Sequence, residues 1–304
     1  MYKKLTALLT CVIPLYAAAD DDCRYRADRS AEASADGISR IAVVAGAGEL
    51  KIEGTAGRRS VQITGIACAA RESALEQLQV DVERDGDVLK ITTRHPSFGL
   101  APGRWFADSS RIDLSIEVPA GMALDVQDSS GPLRIRTVGA LTIRDESGEL
   151  DVEHVKGDLN VTDGSGEIRI ADVQGPVRVS DGSGEISIER VMGEVTIVND
   201  GSGGIRIADV EGSVTIGNDG SGEIDIERVS GSVRIEEDGS GDIRVSRVRH
   251  DVWIGTDGAG EIVVEDVEGD FEVRNAGSGG VRHKRIGGTV RLAGEPASDE
   301  KVER

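Results

Sequence analysis

The sequence predicts an all-β fold: a parallel β-solenoid of about nine coils, each 17–19 residues long, preceded by a less regular β cap with one short helix. Three observations lead there. First, a glycine corner returns at a near-constant interval. "DGSGEI" at 163–168 recurs at 181–186, as "DGSGGI" at 200–205, "DGSGEI" at 219–224 and "DGSGDI" at 238–243. Looser versions begin at Asp128, Asp145, Asp257 and Ala276, so the steps are 17, 18 and 18 residues and then 19 throughout. Such a period marks stacked repeats. Second, one coil reads "DGSGEISIERVMGEVTIVN", with apolar side chains at Ile186, Ile188, Val191, Val195 and Ile197. The Ile-x-Ile and Val-x-Ile pairs have the period of two, and the β-branching, of strands with one buried face. Third, charge alternates from coil to coil. The residue before each central apolar position runs Asp172, Arg190, Asp209, Arg228, Arg247, Asp266, Arg285, and five of the six neighbouring pairs are opposite in sign. In-register stacking sets these residues side by side, where like charges repel.

A single coil cannot bury its one apolar face, but stacked coils can. Composition agrees. Aromatics make up 3% of the chain and glycine supplies 40 of its 304 residues, which suits a narrow interior with tight corners rather than a broad core. The formal net charge is −20, which repels phosphate backbones and excludes nucleic acid as a partner.

Taken in order, residues 1–19 read as a signal peptide. "MYKK" is the positive start, "LTALLTCVIPLY" the apolar run, and "AAA" the small-residue site cleaved between Ala19 and Asp20. The expected product is exported, to the periplasm or to the cell surface and medium of a bacterium. No later stretch approaches the ~20 apolar residues of a spanning helix, so it is not expected to cross the membrane. Two cysteines remain after cleavage, Cys23 and Cys68, and an even count in an exported chain predicts one disulfide.

Residues 20–127 form the cap region. "GAGELKIEGTAGRRSVQITG" already has the coil pattern, with Leu50, Ile52, Val61 and Ile63 inward. "RESALEQLQ" predicts a short helix with Ser73 and Glu76 as a capping box. "VDVERDGDVLKITT" predicts a hairpin around Asp85–Gly86. "HPSFGLAPGRWFADSS" reads as a long loop carrying Phe98, Trp105 and Phe106. Residues 128–292 are the regular solenoid and 293–304 a polar tail. The last coil puts His283, within "RHKR", where earlier coils have Ile or Val, and a charged terminal coil discourages further strands from adding.

"GAGELKIEG", "DLSIEVPAGMALDV" and the "SGEIxI…VxGxVxI" coils together resemble the bacterial adhesin-like family of β-repeat domains, a family largely of unknown function. The resemblance covers roughly residues 40–292. It implies an exported or envelope-associated solenoid with no cofactor and no catalytic residues to carry over.

The residues themselves offer little chemistry. Ser183, Ser202, Ser221 and Ser240 sit in Gly-Ser-Gly corners before a strand, not in the strained strand-to-helix turn of a nucleophile elbow, and a catalytic centre does not recur in every coil. His95, His154, His250 and His283 share no metal-ligand spacing. The corner aspartates from Asp145 to Asp257 stack into an acidic ladder. Either each carboxylate caps its own turn, or Ca²⁺ sits between coils; capping is the expectation. Arg249, His250 and Trp253 form a candidate surface patch for a sugar or a protein partner. The function expected is a non-catalytic envelope scaffold or adhesin-like binding protein with an envelope or extracellular partner, protein or glycan. A calcium-binding solenoid is the alternative, and a carbohydrate-active β-helix enzyme a weaker one, since the coils lack the insertions that build a cleft.

Overall fold

The computed structural model describes residues 23–95 and 110–292. The expected signal peptide with its Ala19–Asp20 junction, the aromatics Phe98, Trp105 and Phe106, and the tail 293–304 lie outside the described residues.

Two sheets face each other, one of 14 strands and one of 13. Each regular coil gives one strand to each sheet, as Ile186–Val191 and Val195–Asp200 do. We call the sheet of Ile186–Val191 the first and that of Val195–Asp200 the second. Pairing between coils is parallel and in register, so Ile188 meets Ile207 and Ile207 meets Ile226. The alternation Ile-x-Ile places those isoleucines between the sheets, where Ile186, Ile188, Ile205 and Ile207 are at most 1% exposed. With side chains only two deep across the gap, β-branched residues fill it without aromatics.

A second feature closes each coil. The residue before the central valine adopts the left-handed backbone in every regular coil: Thr137, His154, Asp172, Arg190, Asp209, Arg228, Arg247, Asp266 and Arg285 all have φ between 55° and 60°. That conformation costs an L-residue about 1–2 kcal/mol. It turns the chain sharply, so that Val173, Val191, Val210, Val229, Val248 and Val267 point back into the core at no more than 2% exposure. Burying a valine returns about 1.5–3 kcal/mol, which offsets the strain.

The cap region departs from the expected order. The coil of Arg40–Val44 and Leu50–Thr55 is first in the chain but not at the end of the stack. Leu50–Thr55 lies between Arg111–Pro119 and Leu133–Val138 in the first sheet, and Arg40–Val44 lies between Val88–Arg94 and Ala123–Asp128 in the second. Val61 and Ile63 are buried as expected, but not as the second half of that coil. Ser60–Ala69 instead turns back and pairs antiparallel with Arg111–Pro119 in the first sheet. Tyr25–Asp28 and Ala31–Ser34 pair antiparallel with Ser60–Ala69. The hairpin forms from Gln79–Asp85 and Val88–Arg94, with Gly86 at φ 63° in the turn. The helix is the single turn Glu72–Leu75. Its capping box does not form: Arg71 takes the N-cap position and its side chain does not cap the helix, which leaves Ser73 inside it.

Cys23 and Cys68 are joined, with Cα atoms 5.2 Å apart, and tie the first described residue to the end of the antiparallel strand. The bond closes a loop across a separation of 45 residues. Replacing both with alanine is expected to lower the unfolding free energy by about 2–4 kcal/mol in a denaturant titration, chiefly by freeing the unfolded chain. At the far end the stack finishes on Val281–Ile286 and Val290–Leu292. His283 faces inward opposite Val264 and its ring centre lies 6.1 Å from that of Phe271. Among the described residues no helix is long and apolar enough to cross a membrane.

Candidate functional site

The left-handed residue makes each coil bulge, and the chain then falls back at the valine. Repeated coil after coil, this step leaves a continuous groove of about 1140 Å³ from Thr137 to Gly287. One wall is the left-handed column itself. The floor is the valine column. The other wall is the residue after each valine: Lys156, Gln174, Met192, Glu211, Ser230, Arg249 and Glu268. Glycine follows in most coils because the preceding coil leaves no room; a Cβ on Gly212 would lie 2.4 Å from the carbonyl oxygen of Gly193.

The charged wall is internally matched. Arg190 grips Asp172 through Nε and Nη2 at 2.8 and 3.2 Å, and Arg228 grips Asp209 in the same way at 2.6 and 2.9 Å. Arg285 does the same to Asp266, with Nη2 at 2.7 Å from Oδ2. These arginine hydrogen bonds hold the carboxyls of Asp172, Asp209 and Asp266 below the ordinary range. The one like-charged step, Arg228 to Arg247, is relieved because Arg247 reaches Glu227 in the preceding coil. The pairs are exposed, so each adds at most about 1 kcal/mol. Two residues stand out on the opposite wall. Arg249 is exposed on the groove without an acidic partner, and Met192 is 56% exposed, the most exposed large apolar side chain described.

The surface patch expected at Arg249, His250 and Trp253 is divided. Arg249 lines the groove and His250 is exposed beside it, in the position that other coils give to glycine. Trp253 lies on the outer face of the second sheet, half-buried. The guanidinium of Arg234 sits 3.6 Å from its ring centre and that of Arg274 4.9 Å away. The ring also covers Gly255, where a Cβ would meet it at 2.8 Å. Trp253 therefore clamps neighbouring coils through cation–π contacts rather than presenting a bare platform.

The aspartate column is buried more deeply than a row of turn caps requires. Asp128, Asp145, Asp163, Asp181, Asp200, Asp219, Asp238 and Asp257 are all 5% exposed or less. Three of them do cap: Oδ1 of Asp145, Asp163 and Asp181 accepts from the amides of Ser147, Gly164 and Gly182. Their second oxygens, and both oxygens of Asp128, Asp200, Asp219, Asp238 and Asp257, complete no hydrogen bond to a donor. Burial raises all eight above the ordinary carboxyl value, to about 7 for Asp128, Asp200 and Asp238 and about 6 for Asp163, with repulsion from neighbouring aspartates adding to these four. Two charges one coil apart, about 4.8 Å, repel by roughly 3.5 kcal/mol at an effective dielectric near 20. Among the described residues no group of three or more His, Cys, Asp and Glu side chains is arranged to hold a metal ion.

The chain is similar to several solved structures. A candidate cell-adhesion protein of Clostridium sporogenes is 14% identical, with 86% of this chain and 99% of that one covered and a TM-score of 0.30. A candidate lipid-binding protein of Parabacteroides distasonis is 17% identical over 88% and 96% of the two chains, with a TM-score of 0.39. A candidate adhesin of Parabacteroides merdae is 15% identical over 88% and 96%, with a TM-score of 0.29. No curated protein matches the sequence. The sequence profile of the family described as Toastrack DUF4097 matches residues 38–257, which takes in the threaded cap coil and most of the regular stack. The protein belongs to the Toastrack DUF4097 family of β-repeat proteins.

Proposed function

We propose that this protein is a non-catalytic, exported binding rod, an envelope scaffold or adhesin-like protein that holds an extended partner along its groove. The observation that carries the reading is the groove's continuity. Nine coils present the same left-handed wall and six of them, from Val173 to Val267, the same valine floor, so the surface suits a long partner, glycan or protein, lying along the rod axis. On the wall opposite the matched one, Arg249 adds a cation without an acidic partner and Met192 an exposed apolar contact, beside the exposed Lys156, Glu211 and Glu268. Export is supported by the charged start, apolar run and small-residue site before Asp20. Exported protein should therefore begin at Asp20 by mass spectrometry.

The binding test uses purified protein and washed envelopes of the host bacterium in a sedimentation assay. Met192→Glu combined with Arg249→Glu should weaken binding about tenfold or more, the scale set by removing central contacts of about 1.4 kcal/mol. Both positions are at the surface, so the melting temperature should hardly move. Undiminished binding by the double variant would remove the groove from the function.

A further inference from the structure

We propose that the buried aspartate column is a proton-binding ladder, eight carboxyl groups that hold protons among themselves, so that acid stiffens the rod and rising pH loosens it. The geometry is specific. Asp128, Asp145 and Asp163 are register partners, as are Asp200, Asp219, Asp238 and Asp257. Asp257 is fully buried and Asp238 is 2% exposed, yet neither oxygen of either residue completes a hydrogen bond to a donor. A buried carboxylate without donors is costly, whereas a protonated carboxyl carries its own donor and can bond to the next oxygen in the column. Asp219 lies close enough to Asp238, and Asp238 to Asp257, for one to donate to the other. The column is also bounded. Ala45 takes the aspartate's place one coil before Asp128, and Ala276 takes it one coil after Asp257.

Few outside charges reach the ladder. Beyond its own members, Glu146 beside Asp145 and Asp242 beside Asp257 add repulsion that favours the protonated form. Turn amides, such as those of Gly201 and Ser202 beside Asp200, favour the ionised form but less strongly than burial opposes it. Shared protons of this kind arise wherever neighbouring carboxyls cannot all ionise. A hard metal ion is a poorer occupant, because Ca²⁺ takes six to eight oxygens and the column offers carboxylates in pairs.

The direction of the pH effect follows from the raised carboxyls. In the folded protein each carboxyl keeps its proton to a higher pH than it does in the unfolded chain. The ladder's contribution to stability is therefore complete below about pH 4 and is lost as pH rises through 6 and 7. Surface pairs act in the opposite sense: Asp172, Asp209 and Asp266, held low by arginine, contribute above that range and fail only in stronger acid. Half-buried His95, kept neutral by desolvation, also works against the ladder, but it is one group against eight.

Two measurements decide the matter. The melting temperature of the intact protein should fall by about 5–10 °C between pH 4.5 and pH 8, and Asp200→Asn with Asp219→Asn should flatten that fall and melt higher than the parent at pH 8. Infrared spectra at pH 6 should show a protonated-carboxyl band that the double variant reduces. A melting temperature that is flat or rises with pH overturns the proposal. So does a saturable rise at pH 8 given by calcium chloride but not by magnesium chloride and weakened in the double variant, because the column would then be a cation site. Should the double variant fail to fold, the spectrum of the parent protein decides alone: no protonated band at pH 6 overturns the ladder.

Discussion

Gly222→Ala is expected to prevent the native rod from forming, or to destabilise it by more than about 4 kcal/mol. Gly222 closes a corner with φ +148°, a backbone conformation essentially reserved for glycine and strained by about 1–3 kcal/mol for other residues. The larger cost is contact. A Cβ at this position would lie 1.6 Å from the carbonyl oxygen of Gly203 and 2.5 Å from its carbonyl carbon. Both are backbone atoms of the coil below, so no side chain can swing aside. Nor can the coils separate. The Gly222 amide donates to the Ser240 carbonyl at 3.0 Å, and the Gly203 amide to that of Ser221 at 2.9 Å. Lifting one corner breaks the register that buries Ile207 against Ile226. Ser202→Ala is the control, since that side chain is exposed at an equivalent corner. Circular dichroism with urea unfolding should show a nearly unchanged midpoint for the serine variant and a lost or strongly shifted transition for Gly222→Ala. A native midpoint for Gly222→Ala would show that the corner is looser than described.

Ile207→Asp is the second severe change. Ile207 is fully buried and stacks on Ile188 and Ile226. Aspartate there removes the apolar contact and leaves an unpaired carboxyl between the sheets, a loss of about 3–5 kcal/mol. The neighbouring Arg206→Asp should cost under about 1 kcal/mol, because Arg206 is exposed and its ion pair with Asp225 is 4.0 Å long. The two substitutions introduce the same side chain one residue apart, so their difference measures the inward–outward alternation directly. Equal shifts in melting temperature would contradict the assignment of faces.

The position of the aspartates shows where reading a sequence column by column reaches its limit. The column was visible as a run of equivalent residues, and turn capping is a sound local expectation for Asp before Gly. Whether such a residue lies inside or outside the coil depends on how sharply the corner bends, which neighbouring coils set jointly. The groove escaped notice for a related reason. The alternating Asp and Arg column was legible as charge, but nothing in its composition announces a left-handed backbone, because neither residue is glycine. Periodic valine just after a charged column is the signal that could have found it.

From residue order alone one could read the period, the inward isoleucines and valines, the coil-to-coil charge matching and the all-β class, because each repeats and each coil meets only its neighbours. Three-dimensional packing settled the rest. The coil of Arg40–Thr55 is threaded between later strands, Ser60–Ala69 runs back along the first sheet, Trp253 is engaged by Arg234 and Arg274, and eight carboxyls are enclosed. Each depends on contacts between residues far apart in the chain. A strand with one apolar face can pair on either side and in either direction, and it is the burial available at the end of the stack that selects one arrangement.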